Sequence, residues 1–374
     1  MHWKFMTSLL KQKLKLALTC LTMAVLAVAC KTKEKPVAKE EATTLGKEIE
    51  KSVSQKNATY LDDAIDVKSI VNRMKITSGK SLINENGFEK GIKEKMILGK
   101  EIIRSIGAKG SYKMIRCYSV GDTQHVLFRM YGNGSVNYHD FELTHVKGVC
   151  KIADVYVYLS GENLSETLAN LYKQFDATGF NDNDMASLKK INEIRKMYHS
   201  SRFSDAKEAI EKLPYNIRNM KPVMLLNIMI CGSLENNDSI YEKALEDYKA
   251  VYPQEANMDL LSIDGYFLQK KYDKVMTSIN KLDKALGGDP FLDFYRYACY
   301  KMLEDKPGQK ESLERLVKNM PDFEEGYQSL IGFYLEEATY DKAAQTLATY
   351  KKHPEFDIET MNTLVAMYPG FKAK

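Results

Sequence analysis

The side chains of this chain best suited to handling a polar ligand stand on short runs of alternating character. Alternation puts Arg129 on one face with Leu127 and Tyr131, Tyr138 with Asp140, and Asp154 with Ile152, Tyr156 and Tyr158. On a shared sheet face, Arg129, Tyr138, Asp140, Asp154 and Tyr156 would form a charged cluster among tyrosines. A guanidinium, two carboxylates and phenols suit a sugar or peptide ligand and, as a lesser reading, acid and base work. The competing structural reading is a solvated face or cross-strand ion pairs, which is what charged strand residues more often are. His139 alternates to the face opposite Asp140, so the adjacent pair is no catalytic dyad.

Other chemistries lack their spacing. Gly79-Lys80-Ser81 ends like a phosphate loop, but Met74 stands where the earlier glycine is needed and a helical run leads in where a strand should. The histidines (His2, His125, His139, His145, His199, His353) show no paired spacing with carboxylates or cysteines that would hold a metal. No serine sits in Gly-x-Ser-x-Gly, and no cysteine has a base nearby in sequence. Cys231 and Cys299 fall at apolar helical positions and read as buried thiols. Cys117 and Cys150 lie on separate strands and could bridge in an oxidising compartment. The expectation is a non-catalytic chain with no cofactor and no metal.

Compartment is written at the start of the chain. Lys4, Lys11, Lys13 and Lys15 precede the apolar run Leu16 to Val28, which is shorter than the ~20 residues of a spanning helix, so residues 1–29 read as a secretory signal. The run closes on Leu26-Ala27-Val28-Ala29-Cys30, which resembles a bacterial lipobox, with Ala27 where leucine is usual. The resemblance implies lipidation of Cys30 and anchorage in the cell envelope. Lys31, in place of the aspartate that retains many such lipoproteins, implies the outer membrane. Cleavage would remove four lysines and no acid, leaving 50 basic against 50 acidic side chains. A formal charge near zero argues against a nucleic-acid partner.

These readings require elements to position them. Residues 30–58, rich in Lys, Glu, Thr and Ala, are expected to be a flexible tether with too little apolar content for a core. Residues 59–175 read as a small α+β domain. Apolar residues at helical spacing predict two helices, one from Tyr60 to Met74 and one from Phe88 to Ile106. Four runs follow, Ser111 to Ser119, His125 to Tyr131, Ser135 to Val146 and Cys150 to Leu159, broken by Gly121-Asp122, Asn133-Gly134 and Lys147-Gly148, which predicts an antiparallel meander. Asn163 with Glu166 predicts a capping box opening a helix through Tyr172. Helices followed by a curved meander resemble the NTF2-like and cystatin-like groups, which implies a pocket cupped on the sheet.

From Asn181 onward the chain is helical and repetitive. Aligning Ala206, Ala244, Val275, Ser312 and Ala343 places Phe203, Tyr241, Tyr272 and Tyr340 three residues earlier in four cases, with Gln309 the exception. Ile210, Tyr248, Ile279, Leu316 and Leu347 stand four residues later. The pattern resembles the tetratricopeptide (TPR) repeat, with the last unit, Tyr327, Leu330, Tyr334, Tyr340, Ala343, Leu347 and Tyr350, matching best. Ile331 replaces the family's glycine, and spacings of 38, 31, 37 and 31 make the array irregular. The resemblance implies an all-α right-handed superhelix over residues 181–374, closed by a terminal helix from Asp357 to Met367. It also implies a groove at Asn257, Asp264, Tyr297, Lys301, Gln328 and Glu336, mixed in sign and suited to an extended peptide; solvated helix residues would look the same. The polar stretch Phe175 to Asp184 is expected to separate two independent parts.

Function is left between classes. The leading expectation is an envelope scaffold holding a protein or peptide partner through its repeats. The alternative is a glycan or nutrient binder, since SusD-like lipoproteins embed similar repeats. An enzyme using the meander pocket is the third.

Overall fold

The computed structural model describes residues 34–79, 85–132, 135–178, 182–234, 238–253 and 258–371. The signal segment, Cys30 and Asn257 lie outside them.

The first described element corrects the tether. Lys39–Ser54 is a helix, α1, that buries Ala42, Leu45, Gly46, Ile49 and Val53. Three- and four-residue spacing puts these on one stripe, and at Gly46 the helix comes so close to the sheet that a Cβ would stand 2.5 Å from Met114 Sδ and 2.9 Å from Val126 Cγ1. Glu41 accepts from the Ala38 amide at 2.9 Å and fixes the helix start.

The two helices expected next are four: α2 (Thr59–Ala64), α3 (Val67–Ser78), α4 (Glu85–Lys95) and α5 (Leu98–Ile106). Ile65 breaks the first run by pairing in parallel with Ile152, after which Asp66 caps α3 by accepting from the Ser69 amide at 3.0 Å.

The meander is β1 (Ser111–Val120), β2 (Thr123–Gly132), β3 (Ser135–Val146) and β4 (Val149–Val157), with a short β5 (Glu162–Asn163), paired in that order and antiparallel throughout. The β3–β4 turn needs positive φ at both tip residues, Lys147 at 52° and Gly148 at 76°. Between Glu142 and Leu143 the register on β4 jumps from Asp154 to Ile152, so Ala153 is an inserted residue. Helix α6 (Leu164–Thr178) follows, its Asn163 amide donating to Glu166 at 2.7 Å.

The rest is helical: α7 (Asp182–His199), α8 (Phe203–Glu211), the single turn α9 (Tyr215–Arg218), α10 (Lys221–Gly232), α11 (Asp238–Val251), α12 (Met258–Leu268), α13 (Tyr272–Leu286), α14 (Leu292–Met302), α15 (Lys306–Asn319), α16 (Glu324–Glu336), α17 (Tyr340–Tyr350) and α18 (Ile358–Ala366). From α7–α8 and α10–α11 to α16–α17, consecutive helices pair and each pair packs on the next, with α18 lying against α16. Ala206, Ala244, Val275, Ser312 and Ala343, on the second helices of these pairs, are all at most 4% exposed. Four of the five pairs also turn on a left-handed non-glycine residue two positions before the second helix: Ser201, Lys270, Glu304 and Ala338. Ala343 is wholly buried while Asp341 and Lys342 are exposed. Ala343→Leu should therefore lower stability by ~1 to 3 kcal/mol through overpacking, and Asp341→Ala should change the thermal midpoint little.

The two halves share a core, where the sequence reading expects a separable linker, and residues 179–181 of that linker lie outside the described residues. One sheet face carries α1, with Phe128, Phe141, Ile49 and Leu61 in a common core. The other contributes Leu127, Val136 and Tyr138 to the same core as Ile279, Phe291, Leu316 and Leu330 of the helical half. Tyr131 packs against Phe291 and Phe323 at ring separations of 4.9 and 5.7 Å.

Candidate functional site

Cross-strand pairing joins Arg129 to Tyr138, Leu127 to Asp140, Asp140 to Tyr156 and Glu142 to Asp154, so the five strand residues do share one sheet face. They do not form one site. Arg129 Nη1 lies 2.5 Å from Asp289 Oδ1, and the Tyr138 hydroxyl donates to Asp289 Oδ2 at 2.9 Å, all three beneath the helical half. Asp140 instead accepts from the Tyr118 hydroxyl and lies 3.2 Å from His125 Nδ1. Burial and the neighbouring Asp140 hold the Tyr118 phenol well above its usual range, and burial first, then Asp140, pushes Tyr158 up to about 12. Tyr156 meets Tyr158 edge to face at 5.1 Å. Asp154 accepts from the Ser165 hydroxyl and amide, with Arg73 at 3.9 Å; burial raises its carboxyl while the Ser165 bonds oppose the rise. Its offset from Ile152 comes from the inserted Ala153, which places Ile152 in the opposite core.

On that opposite face His139 is buried between the Tyr112 hydroxyl (3.1 Å from Nδ1) and the Asn137 amide (3.2 Å from Nε2). Burial disfavours the imidazolium and lowers its pKa to about 4. The unfolded chain then binds a proton that the folded one refuses, so stability should be lost as pH falls from about 6.5 toward 4. A His139→Gln variant should show a shallower loss over that window in urea titrations, and an identical pH profile would contradict the buried neutral ring.

An open volume lies elsewhere. Where the β2–β3 end of the sheet meets α10, α11, α12 and α14 there is a cavity of about 340 Å³. Met130 and Asn137 form its sheet wall and Met229, Leu260 and Ile263 its apolar helical wall. Its polar groups include Asp264, Tyr241 and Tyr295, with Arg104, Ser105 and His199 on the α5 and α7 side and Ser233 at the end of α10. The Tyr241 hydroxyl donates to Asp264 Oδ2 at 2.9 Å. Asp264 is reached by solvent through the cavity yet crowded by protein, so desolvation raises its carboxyl, with the Tyr241 bond acting the other way. Both tyrosines are held far above the usual phenol range, by burial first and then by Asp264. His199 Nε2 lies 3.2 Å from Glu101, and desolvation outweighs that carboxylate to lower the imidazole pKa.

Asp264 is the one expected groove residue that lines this cavity. Lys301 sits 5.9 Å over the Tyr297 ring on the surface, and Glu336 is exposed, 3.8 Å from Lys306. Gln328 donates to the Tyr350 hydroxyl at 2.9 Å. Tyr297, Lys301 and Glu336 thus gather around Lys306, apart from Asp264 in the cavity. Tyr241 entered the sequence reading only as a packing residue; the approach of Tyr241 and Tyr295 to Asp264 depends on three different helices.

Cys117, Cys150, Cys231 and Cys299 are free thiols, the last two buried. Among the described residues no three His, Cys, Asp or Glu side chains are placed to hold a metal ion, and no helix is long and apolar enough to cross a membrane. Compared with protein-family models, with curated proteins and with solved structures, the chain matches none.

Proposed function

We propose that this protein is a lipid-anchored envelope lipoprotein and a non-catalytic interaction module, in which TPR-like helix pairs and the sheet together present a cavity to a peptide segment of a protein partner. The recurring buried small residue and the recurring left-handed turn support the repeat reading. The observation that carries the binding reading is Asp264, an acceptor on the cavity wall that solvent reaches and one phenol holds, with a second oxygen left for a ligand. A volume near 340 Å³ fits one side chain or one sugar ring rather than a whole helix. A lysine or arginine side chain entering from the partner would meet the carboxylate end-on with its stem against Met229 and Leu260. The phenols of Tyr241 and Tyr295 favour a second reading, a glycan whose hydroxyls pair with them.

The test is a displayed peptide library and an oligosaccharide array, each probed with the mature protein and with Asp264→Asn and Tyr241→Phe. Loss of an ion-assisted hydrogen bond should weaken binding about tenfold or more in the Asp264 variant. Peptide hits insensitive to both substitutions would place binding away from the cavity, and hits on the sugar array alone would favour the glycan.

A further inference from the structure

The described chain is pinned to the sheet from its first residues. The Lys147 amide donates to Glu34 Oε1 at 3.0 Å, His145 Nδ1 donates to the Lys35 carbonyl at 2.7 Å, and Val37 is buried in the sheet core. Only three residues lie between Cys30 and Glu34, so four chain steps give a reach of at most about 14 Å for extended chain. So the anchor cannot be far from the β3–β4 turn.

In an antiparallel meander the β1–β2 and β3–β4 turns lie at the same end. The start of α1 is there too, with the Lys39 carbonyl 3.9 Å from Cys117 Sγ. This end exposes two aliphatic side chains beside its turns, Val120 at 57% and Val149 at 56%. Turn flanks are ordinarily polar, and neither valine has a core to join. Charge does not explain the pair: the exposed Lys35, Lys39 and Lys147 are matched by Glu34, Glu40 and Asp122.

We propose that the protein stands tip-down on the bilayer, with the β1–β2 and β3–β4 turns seated at the lipid headgroups and Val120 and Val149 entering the interface beside the acyl chains on Cys30. The inference rests on the reading that Cys30 is lipidated. The short reach from Cys30 to Glu34 brings the turns to the surface, and the valines are the groups that gain by leaving water there. Orientation follows. Strand β2 has ten residues at about 3.3 Å each, so the cavity at the β2–β3 end stands roughly 30 Å above the headgroups, facing away from them.

The only tryptophan of the chain is Trp3, in the signal segment, so the processed protein offers a dark background. Full-length Val120→Trp, Val149→Trp and Ser135→Trp proteins, the last at the opposite end of the sheet and exposed, would be made in cells fed a labelled fatty acid, then placed in phosphatidylcholine vesicles with or without brominated acyl chains. The expected result is label on all three and at least twofold quenching of the Val120 and Val149 probes by brominated lipid, with the Ser135 probe unchanged. Label with no quenching at either turn, or equal quenching at all three positions, overturns the seating while leaving the anchor intact. Absence of label on wild type and on all three variants, or label that Cys30→Ser does not abolish, overturns the anchor and the seating with it.

Discussion

Replacing Asp289 with alanine should destabilise this protein by about 3 to 5 kcal/mol, the range seen when one partner of a buried ion pair is removed. Arg129 and Asp289 have side-chain exposures of 6% and 0%, so the guanidinium left behind would find no water. Its Nε is already buried without a partner, and its other neighbours are the Phe291 ring at 5.0 Å and the Met320 sulfur at 3.7 Å. Asp289 also accepts from the Tyr138 hydroxyl and from the Phe291 amide at 3.1 Å, and both donors would be orphaned with the arginine. Asp289→Asn keeps an acceptor for the neutral donors and should cost less. Pairing Arg129→Met with Asp289→Asn should recover much of the loss, because the unpaired charge is gone. Urea unfolding of the four proteins decides the matter: a loss below about 1 kcal/mol for Asp289→Ala would mean the pair is not sealed from solvent.

The second large effect concerns cutting the chain between α6 and α7. A fragment of residues 182–374 would bare Phe291, Phe323 and Met320 where Tyr131 and Arg129 had covered them, and a fragment of residues 34–178 would bare Leu127, Val136 and Tyr138. Each half loses part of a core that is continuous in the whole, and each keeps one member of the Arg129–Asp289 pair. Neither should give a cooperative melt alone, and near-ultraviolet dichroism should be largely lost. Mixed or co-expressed, the two should recover a single transition. Two separate melts in the intact protein would show that the shared core contributes little.

The strands were readable because half-buried antiparallel segments alternate and their turns carry Gly or Asn, so Ser135–Val146 was placed to the residue. The second helices of the repeats were readable for a related reason: a small residue followed four positions later by a large one survives irregular spacing, and all ten of those positions are buried. Helix α1 was missed since its buried stripe sets only Leu45, Ile49 and Val53 beside the small Ala42 and Gly46, and the surrounding lysines and glutamates make the composition read as tether. The three- and four-residue spacing was the available signal, and it marks a helix lying unusually close to its sheet. The strand alternation assigned a common face correctly to Arg129, Asp140 and Asp154, yet could not show what covers each. Asp289 stands in a loop, Gly287-Gly288-Asp289-Pro290, with nothing local to distinguish it from any turn aspartate. Its role depends on a residue 160 positions away. The cavity was half visible, in Asp264, because helical spacing marks the faces of a helix but not what will be set against them.

The joining of Arg129 to Asp289 also sets a clock on biosynthesis. The arginine emerges from the ribosome first, and at roughly 5 to 20 residues per second the 160 residues to its partner take about 8 to 32 s. Throughout that wait the meander can close its α1 side, whose residues all precede Leu168, but its other side has no cover. Made without the signal segment, nascent chains arrested before Asp289 should therefore hold a half-folded sheet with one sticky face and be bound by holdase chaperones, whereas full-length chains should be released.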